Sequence, residues 1–83
     1  MLTLFRNTGE SIAIKNEKTG VTHHVKLTSH NFPICTLEIN GELHVKKIPE
    51  SFEVDACMVT VLSIDRGVKF GLVAPQYIKL NRV

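Results

Sequence analysis

Apolar and polar residues alternate along this chain as they do in β proteins. Period two dominates, as in "VTHHVKL" at 21–27 and "CTLEINGELHV" at 35–45, and no stretch of helical length repeats its apolar positions every 3.6 residues. Successive strand side chains point to opposite faces, so each alternating run predicts one buried and one solvated face. A first strand is expected at about 2–6 and a second through "SIAI", joined as a hairpin across "NTGE", where Gly9 admits positive φ. After the polar turn "KNEKTG", residues 21–27 put Val21, Val25 and Leu27 on one face with His23 beside them, and "SHNFP" breaks that strand.

Two registers compete at Asn40-Gly41. A two-residue loop sets Leu37 opposite His44; a three-residue loop ending at Gly41 sets Leu37 opposite Leu43 and Cys35 opposite Val45. Apolar pairing favours the longer loop, with a glycine bulge. The alternating runs can then pair by burying Val21, Val25, Leu27, Leu37, Leu43 and Val45 on one shared face. In "KKIPESFEVDA" Pro49 argues against a central strand, and "PESF" reads as one helical turn. The cleanest hairpin is "TVLSIDRGVKFGL", where an Asp65-Arg66-Gly67 loop pairs Ile64 with Val68, Leu62 with Phe70 and Thr60 with Leu72. That register leaves Val59, Val61, Lys69 and Gly71 on the other face. "VAP" then turns the chain into a last strand at 76–82, and no repeat or low-complexity run appears.

Eighty-three residues fit one domain, and a chain this short buries only about 60–65% of its unfolded surface, so a second copy is the cheapest addition to its core. Hydrophobic residues at 43% and charged residues at 22% are those of a folded protein and exclude a disordered tail. Arg6 interrupts the first apolar stretch well short of a signal-peptide core or a membrane span, so a cytoplasmic location is expected. Cys35 and Cys57 form no Cys-x-x-Cys pair and are expected as reduced, partly buried thiols. Net charge is +2, unevenly spread: residues 15–56 hold five Lys against six Asp/Glu (−1), the two ends five Lys/Arg against two (+3). Positive ends hint at an anionic partner.

Those ends share a plan, Leu4-x-Arg6 near the start and Ile78-x-Leu80-x-Arg82 at the finish. "MLTLFRNTGESIAI" resembles the opening of the carbon storage regulator (CsrA/RsmA) family, Met-Leu-x-Leu-x-Arg followed by Gly-Glu-Ser-Ile-x-Ile. "VTVLSIDRGVKFGLVAPQYIKLNR" resembles the family's remainder: a hairpin, x-x-Gly-Ile, Ala-Pro, then Val-x-Val-x-Arg. The resemblance covers residues 1–14 and 57–82. It implies an all-β, interlocked homodimer in which the first strand of one subunit lies close to the last strand of the other. Each composite surface would bind one RNA hairpin with GGA in its loop, in mRNA leaders or small RNAs, and so regulate translation or mRNA stability. Leu4, Arg6, Ala74, Pro75, Ile78, Leu80 and Arg82 are the RNA-binding positions it implies, with Arg6 and Arg82 flanking the RNA as two similar strand-end charges. Guanidinium groups suit phosphate and the Hoogsteen edge of guanine, and a strand edge can read unstacked bases. The paucity of aromatics, with no Trp and one Tyr, argues against a sheet that stacks bases on exposed rings.

Three features depart from the family pattern. Asn7 and Asn81 replace a basic residue and a common His; residues 1–83 hold no counterpart of the family's C-terminal helix; and roughly forty residues, 15–56, replace a short turn. This insertion is expected as an ordered β element, either packed as a lobe whose removal leaves the family-like dimer intact, the favoured reading, or crossing to the other subunit, in which case its removal dissociates or unfolds the dimer. His23, His24, His30, His44 and Cys35 all lie within it, but no metal-binding spacing appears and the adjacent pair His23–His24 faces opposite ways, so no metal is expected. Ser11, Ser63 and the cysteines lack a recognisable base and orienting acid, and no phosphate-loop glycine pattern occurs, so neither an enzyme nor a cofactor is expected. The alternative functions are a protein-interaction module that pairs with or antagonises a CsrA-family protein through the insertion, and a β-barrel adaptor without an RNA role.

Overall fold

The computed structural model describes residues 1–83 as two antiparallel sheets built from nine strands: β1 (Leu2–Arg6), β2 (Ser11–Asn16), β3 (Thr22–Asn31), β4 (Ile34–Ile39), β5 (Glu42–Lys47), β6 (Ser51–Val54), β7 (Cys57–Ile64), β8 (Val68–Val73) and β9 (Ile78–Arg82). The four-stranded sheet runs β1-β8-β7-β6 and the five-stranded sheet β5-β4-β3-β2-β9. No helix is long and apolar enough to cross a membrane.

One core fills the space between the sheets. Val59, Val61, Phe70 and Leu72 enter it from one side and Ile12, Ile14, Val25, Leu27 and Leu37 from the other, each at most 1% exposed. Burying a side chain of this size stabilises by about 1.5–3 kcal/mol. Residues 15–56 are ordered β structure, yet they form no separate lobe, since Val25, Leu27, Cys35, Leu37 and Val54 belong to the same cluster as the residues of both ends. The core therefore closes within a single chain, and an isolated chain is not left with half of one.

Several registers differ from the sequence expectations, each for a local reason. β1 and β2 are not a hairpin: β1 pairs with β8, while β2 pairs with β3 and β9. The chain crosses between sheets at Asn7–Glu10, where Gly9 N–H donates to Leu27 O (2.7 Å) and Leu27 N–H to Glu10 O (3.0 Å). β3 runs through Ser29-His30-Asn31, because a bulge at Thr28 restores the pairing of His30 with Cys35. At Asn40-Gly41 the two-residue loop wins. Both residues take positive φ, 51° and 88°, the turn whose twist matches paired strands, and Leu37 lies opposite His44. Leu43 and Val45 therefore stay on the outer face at 66% and 63% exposure, and Val21 is also exposed. Residues 51–54 are strand β6 and not a helical turn, with Phe52 opposite Val59. In the β7–β8 hairpin Ile64 does face Val68, but Leu62 is the extra residue of a bulge, so Val61 meets Phe70 and Val59 meets Leu72 in the core.

A polar network ties the sheets together at one end. Asn40 Nδ2 donates to His23 Nδ1 (2.7 Å), which leaves the imidazole proton on Nε2, 3.5 Å from Asp55 Oδ2 in the β6–β7 turn. Buried Asn16 donates to both oxygens of the same carboxylate (3.3 and 3.2 Å). Every buried side-chain polar atom has a partner.

Candidate nucleic-acid interface

The positions singled out in the sequence divide between core and surface. Leu4 (4% exposed) and Ile78 (6%) are core residues of β1 and β9, so they position the strands and present no side chain to a ligand. Leu80 and Ala74 are partly buried against the core; Pro75 and Arg82 are exposed. The matched ends do converge, but inside one chain: Ser11 and Val83 exchange backbone hydrogen bonds (3.1 and 3.0 Å), and Arg6 reaches this corner from the other sheet.

Arg6 and Arg82 are not alike. Arg6 Nε donates to Phe5 O (2.8 Å), and Nη1 lies 3.4 Å from Ser11 O and 3.5 Å from Val83 O. Its Nη2 stands 3.8 Å from the Glu10 carboxylate, and only 12% of the side chain is exposed. This guanidinium staples the end of β1 to the β2–β9 corner. Arg82, opposite Ile12 at the end of β9, makes no side-chain hydrogen bond or ion pair, and its donors are free.

Registers bring together a basic surface that single-strand parity did not disclose. On the outer face of the five-stranded sheet Lys79 of β9 lies directly opposite Lys15 of β2, Ser11 opposite Lys26, and Ala13 between Asn81 and His24. Like charges directly opposite destabilise a sheet, so the Lys15–Lys79 pair is a local cost that an anion would relieve. Glu17, 4.0 Å from Lys79 Nζ, and Glu38, opposite Lys26, are the acids nearby. The signal was in the sequence, since Lys15, Lys26 and Lys79 each sit at solvent parity, but the pairing of β2 with β9 needs a contact across more than sixty residues.

Beside that face runs an open backbone edge. Ala13–Asn81 and Lys15–Lys79 are the pairs in phase with the Ser11–Val83 hydrogen bonds, so the N–H and C=O of Leu80 and Arg82 point away from β2. A basic face, an unpaired arginine and an unpaired strand edge thus share one margin of the molecule. No cluster of His, Cys, Asp or Glu is placed to hold a metal ion, and the surface has no pocket. No protein-family model, curated protein or solved structure matches this chain.

Proposed function

We propose that the protein binds RNA along the β9 margin and acts as a post-transcriptional regulator, recognising GGA-containing hairpin loops in the manner of the CsrA-type proteins its two ends resemble. The observation that carries this reading is the cluster of Lys15, Lys79 and Lys26 on one outer face, bordered by the open β9 edge, with the free guanidinium of Arg82 leaving the other side of that same strand end. The lysines take phosphates as point charges. Arg82 donates a bidentate pair to guanine or phosphate, and the edge groups of Leu80 and Arg82 read the polar edges of unstacked bases. Arg6 serves by holding the corner in place. Each chain carries the parts of one site, so a homodimer would present two. A leader whose loop is so occupied is translated or degraded at a different rate.

Fluorescence-anisotropy titration of a GGA-loop hairpin against a control of altered loop is the test. Wild type is expected to prefer the GGA loop, and Arg82→Ala to lose about 5- to 150-fold, the range of a bidentate base contact of ~1–3 kcal/mol. Lys15→Ala with Lys79→Ala should weaken both hairpins alike and flatten the dependence on salt. Equal binding of the two loops by wild type overturns the sequence-specific reading.

A further inference from the structure

At the opposite margin of the five-stranded sheet lies β5, an edge strand with its own free backbone. Glu42, His44 and Lys46 face Ile39, Leu37 and Cys35 across a tight two-residue turn, and these are the pairs whose backbone bonds close the hairpin. The N–H and C=O of Leu43, Val45 and Lys47 therefore point outward. Lys47 is already closed, its N–H donating to Glu50 Oε1 (3.1 Å) and its C=O accepting from Glu50 N–H (2.7 Å). Leu43 and Val45 are left, carrying both unpaired backbone groups and the exposed apolar side chains of the outer face. Natural edges usually carry a charge or a proline at such positions; this one carries neither.

We propose that β5 pairs with β5 of a second copy, antiparallel about a two-fold axis perpendicular to the sheet, to give one continuous ten-stranded sheet. The register follows from the groups available. Keeping both cores on the same side of the joined sheet requires residues of like parity to face each other. With His44 opposite the partner copy's equivalent, Leu43 of each chain faces Val45 of the other, and every free N–H and C=O at those positions finds a partner. The two leucines and two valines then cover one another on the outer face. On the inner side Glu42 of each chain comes opposite Lys46 of the other, whose ammonium lies 3.6 Å from Glu50 and over the Phe52 ring, so Glu42 adds a second carboxylate beside that cation at each end of the pairing. Glu42 is available for this, its side chain being 83% exposed with only His44 nearby at 3.5 Å. The register centred on Val45 fails, because it sets Leu43 against Lys47, whose backbone Glu50 already occupies. This interface does not rest on the RNA reading and uses none of its residues.

Sedimentation velocity without RNA, from micromolar to about millimolar protein, tests it. Wild type is expected to shift from monomer to dimer as concentration rises. Leu43→Lys with Val45→Lys should remain monomeric throughout with an unchanged circular-dichroism melt, since both side chains are already solvated. Val45→Pro, which removes an outward N–H without touching the β4 ladder, should abolish the dimer as well. Glu42→Lys should weaken association at least several-fold, and more so at low salt. Wild type that stays monomeric at millimolar concentration overturns the proposal. A dimer that survives the double-lysine variant also overturns it, placing the interface elsewhere.

Discussion

Replacing Arg6 by alanine should damage the fold, and replacing Arg82 should not. At Arg6 the change removes one well-formed charge-assisted bond to Phe5 O, two longer ones to Ser11 O and Val83 O, and an ion pair with Glu10, from a side chain only 12% exposed. A charge-assisted bond contributes about 1.5–3 kcal/mol when short and buried. Here the short bond is local, the long ones are near the limit of a hydrogen bond, and the half-solvated ion pair adds little. The net expectation is a loss of about 1–2 kcal/mol. For a domain of this size that is a fall in Tm of about 5–15 °C, or about 1 M in urea midpoint. Arg82 has no partner to lose, and its alanine variant should unfold within about 0.5 kcal/mol of wild type.

Urea titrations followed by far-UV circular dichroism, with the slope m held to one value across the three proteins, measure the contrast. Arg6→Lys discriminates further. An ammonium group cannot reach the carbonyls of Phe5, Ser11 and Val83 in the planar arrangement of a guanidinium, so it should recover less than half of the loss. If Arg6→Ala unfolds at the same urea concentration as wild type, the staple contributes nothing and Arg6 is free to be a ligand-binding group after all.

Other perturbations follow from the packing. At Gly67 an added Cβ would meet Arg6 O at 2.5 Å and Phe5 Cζ at 2.6 Å, whereas at Gly71 it would meet the flexible end of Met1 at 2.5 Å; Gly67→Ala should therefore lower Tm by several degrees more than Gly71→Ala. Leu37→Ala should cost about 2–5 kcal/mol, and replacing residues 15–56 with a short turn should abolish the cooperative transition, because that segment lines the common core. Burial raises the Cys57 thiol to about 11 and pushes Cys35 up as well, burial first and the Glu50 charge second. Between pH 9 and 11 the unfolded chain loses thiol protons that the folded chain keeps, so the stabilisation present below pH 9 falls away as pH rises, by on the order of 2 kcal/mol for Cys57; urea midpoints at pH 8 and 10.5 should fall less in Cys57→Ala than in wild type.

What could be read from the sequence was what one strand determines alone. Alternation located the strands, and the Asp65-Arg66-Gly67 loop was legible because a tight turn is chemically local. Bulges defeated the parity argument. One extra residue at Leu62 flips every side chain beyond it, so Val59 and Val61, which parity places on the face away from Phe70 and Leu72, lie beside them in the core. At Asn40-Gly41 the pairing of apolar with apolar residues argues for the longer loop, but the turn chemistry of Asn-Gly decides the register, and Leu43 and Val45 stay outside the core. Arg6 was illegible for another reason: its partners are main-chain carbonyls at the ends of other strands, which carry no sequence signature.

The two proposed surfaces occupy opposite margins of one sheet, and that arrangement has a consequence neither has alone. Joining two chains through β5 gives the strand order β9-β2-β3-β4-β5 followed by its mirror, with a β9 margin at each end. Nine inter-strand spacings of about 4.8 Å separate those margins by roughly 43 Å before twist is counted. An RNA with two GGA loops can occupy both only if its spacer bridges that distance, and the second contact then gains from a millimolar-range effective concentration. Affinity should therefore rise in a step, about 100-fold or more, once the spacer is long enough, and then decline slowly as it lengthens. The double-lysine variant at Leu43 and Val45 should show the single-loop affinity at every spacer length. A step that persists in that variant would mean that two sites are brought together by some other route, and the continuous sheet would not be the reason for it.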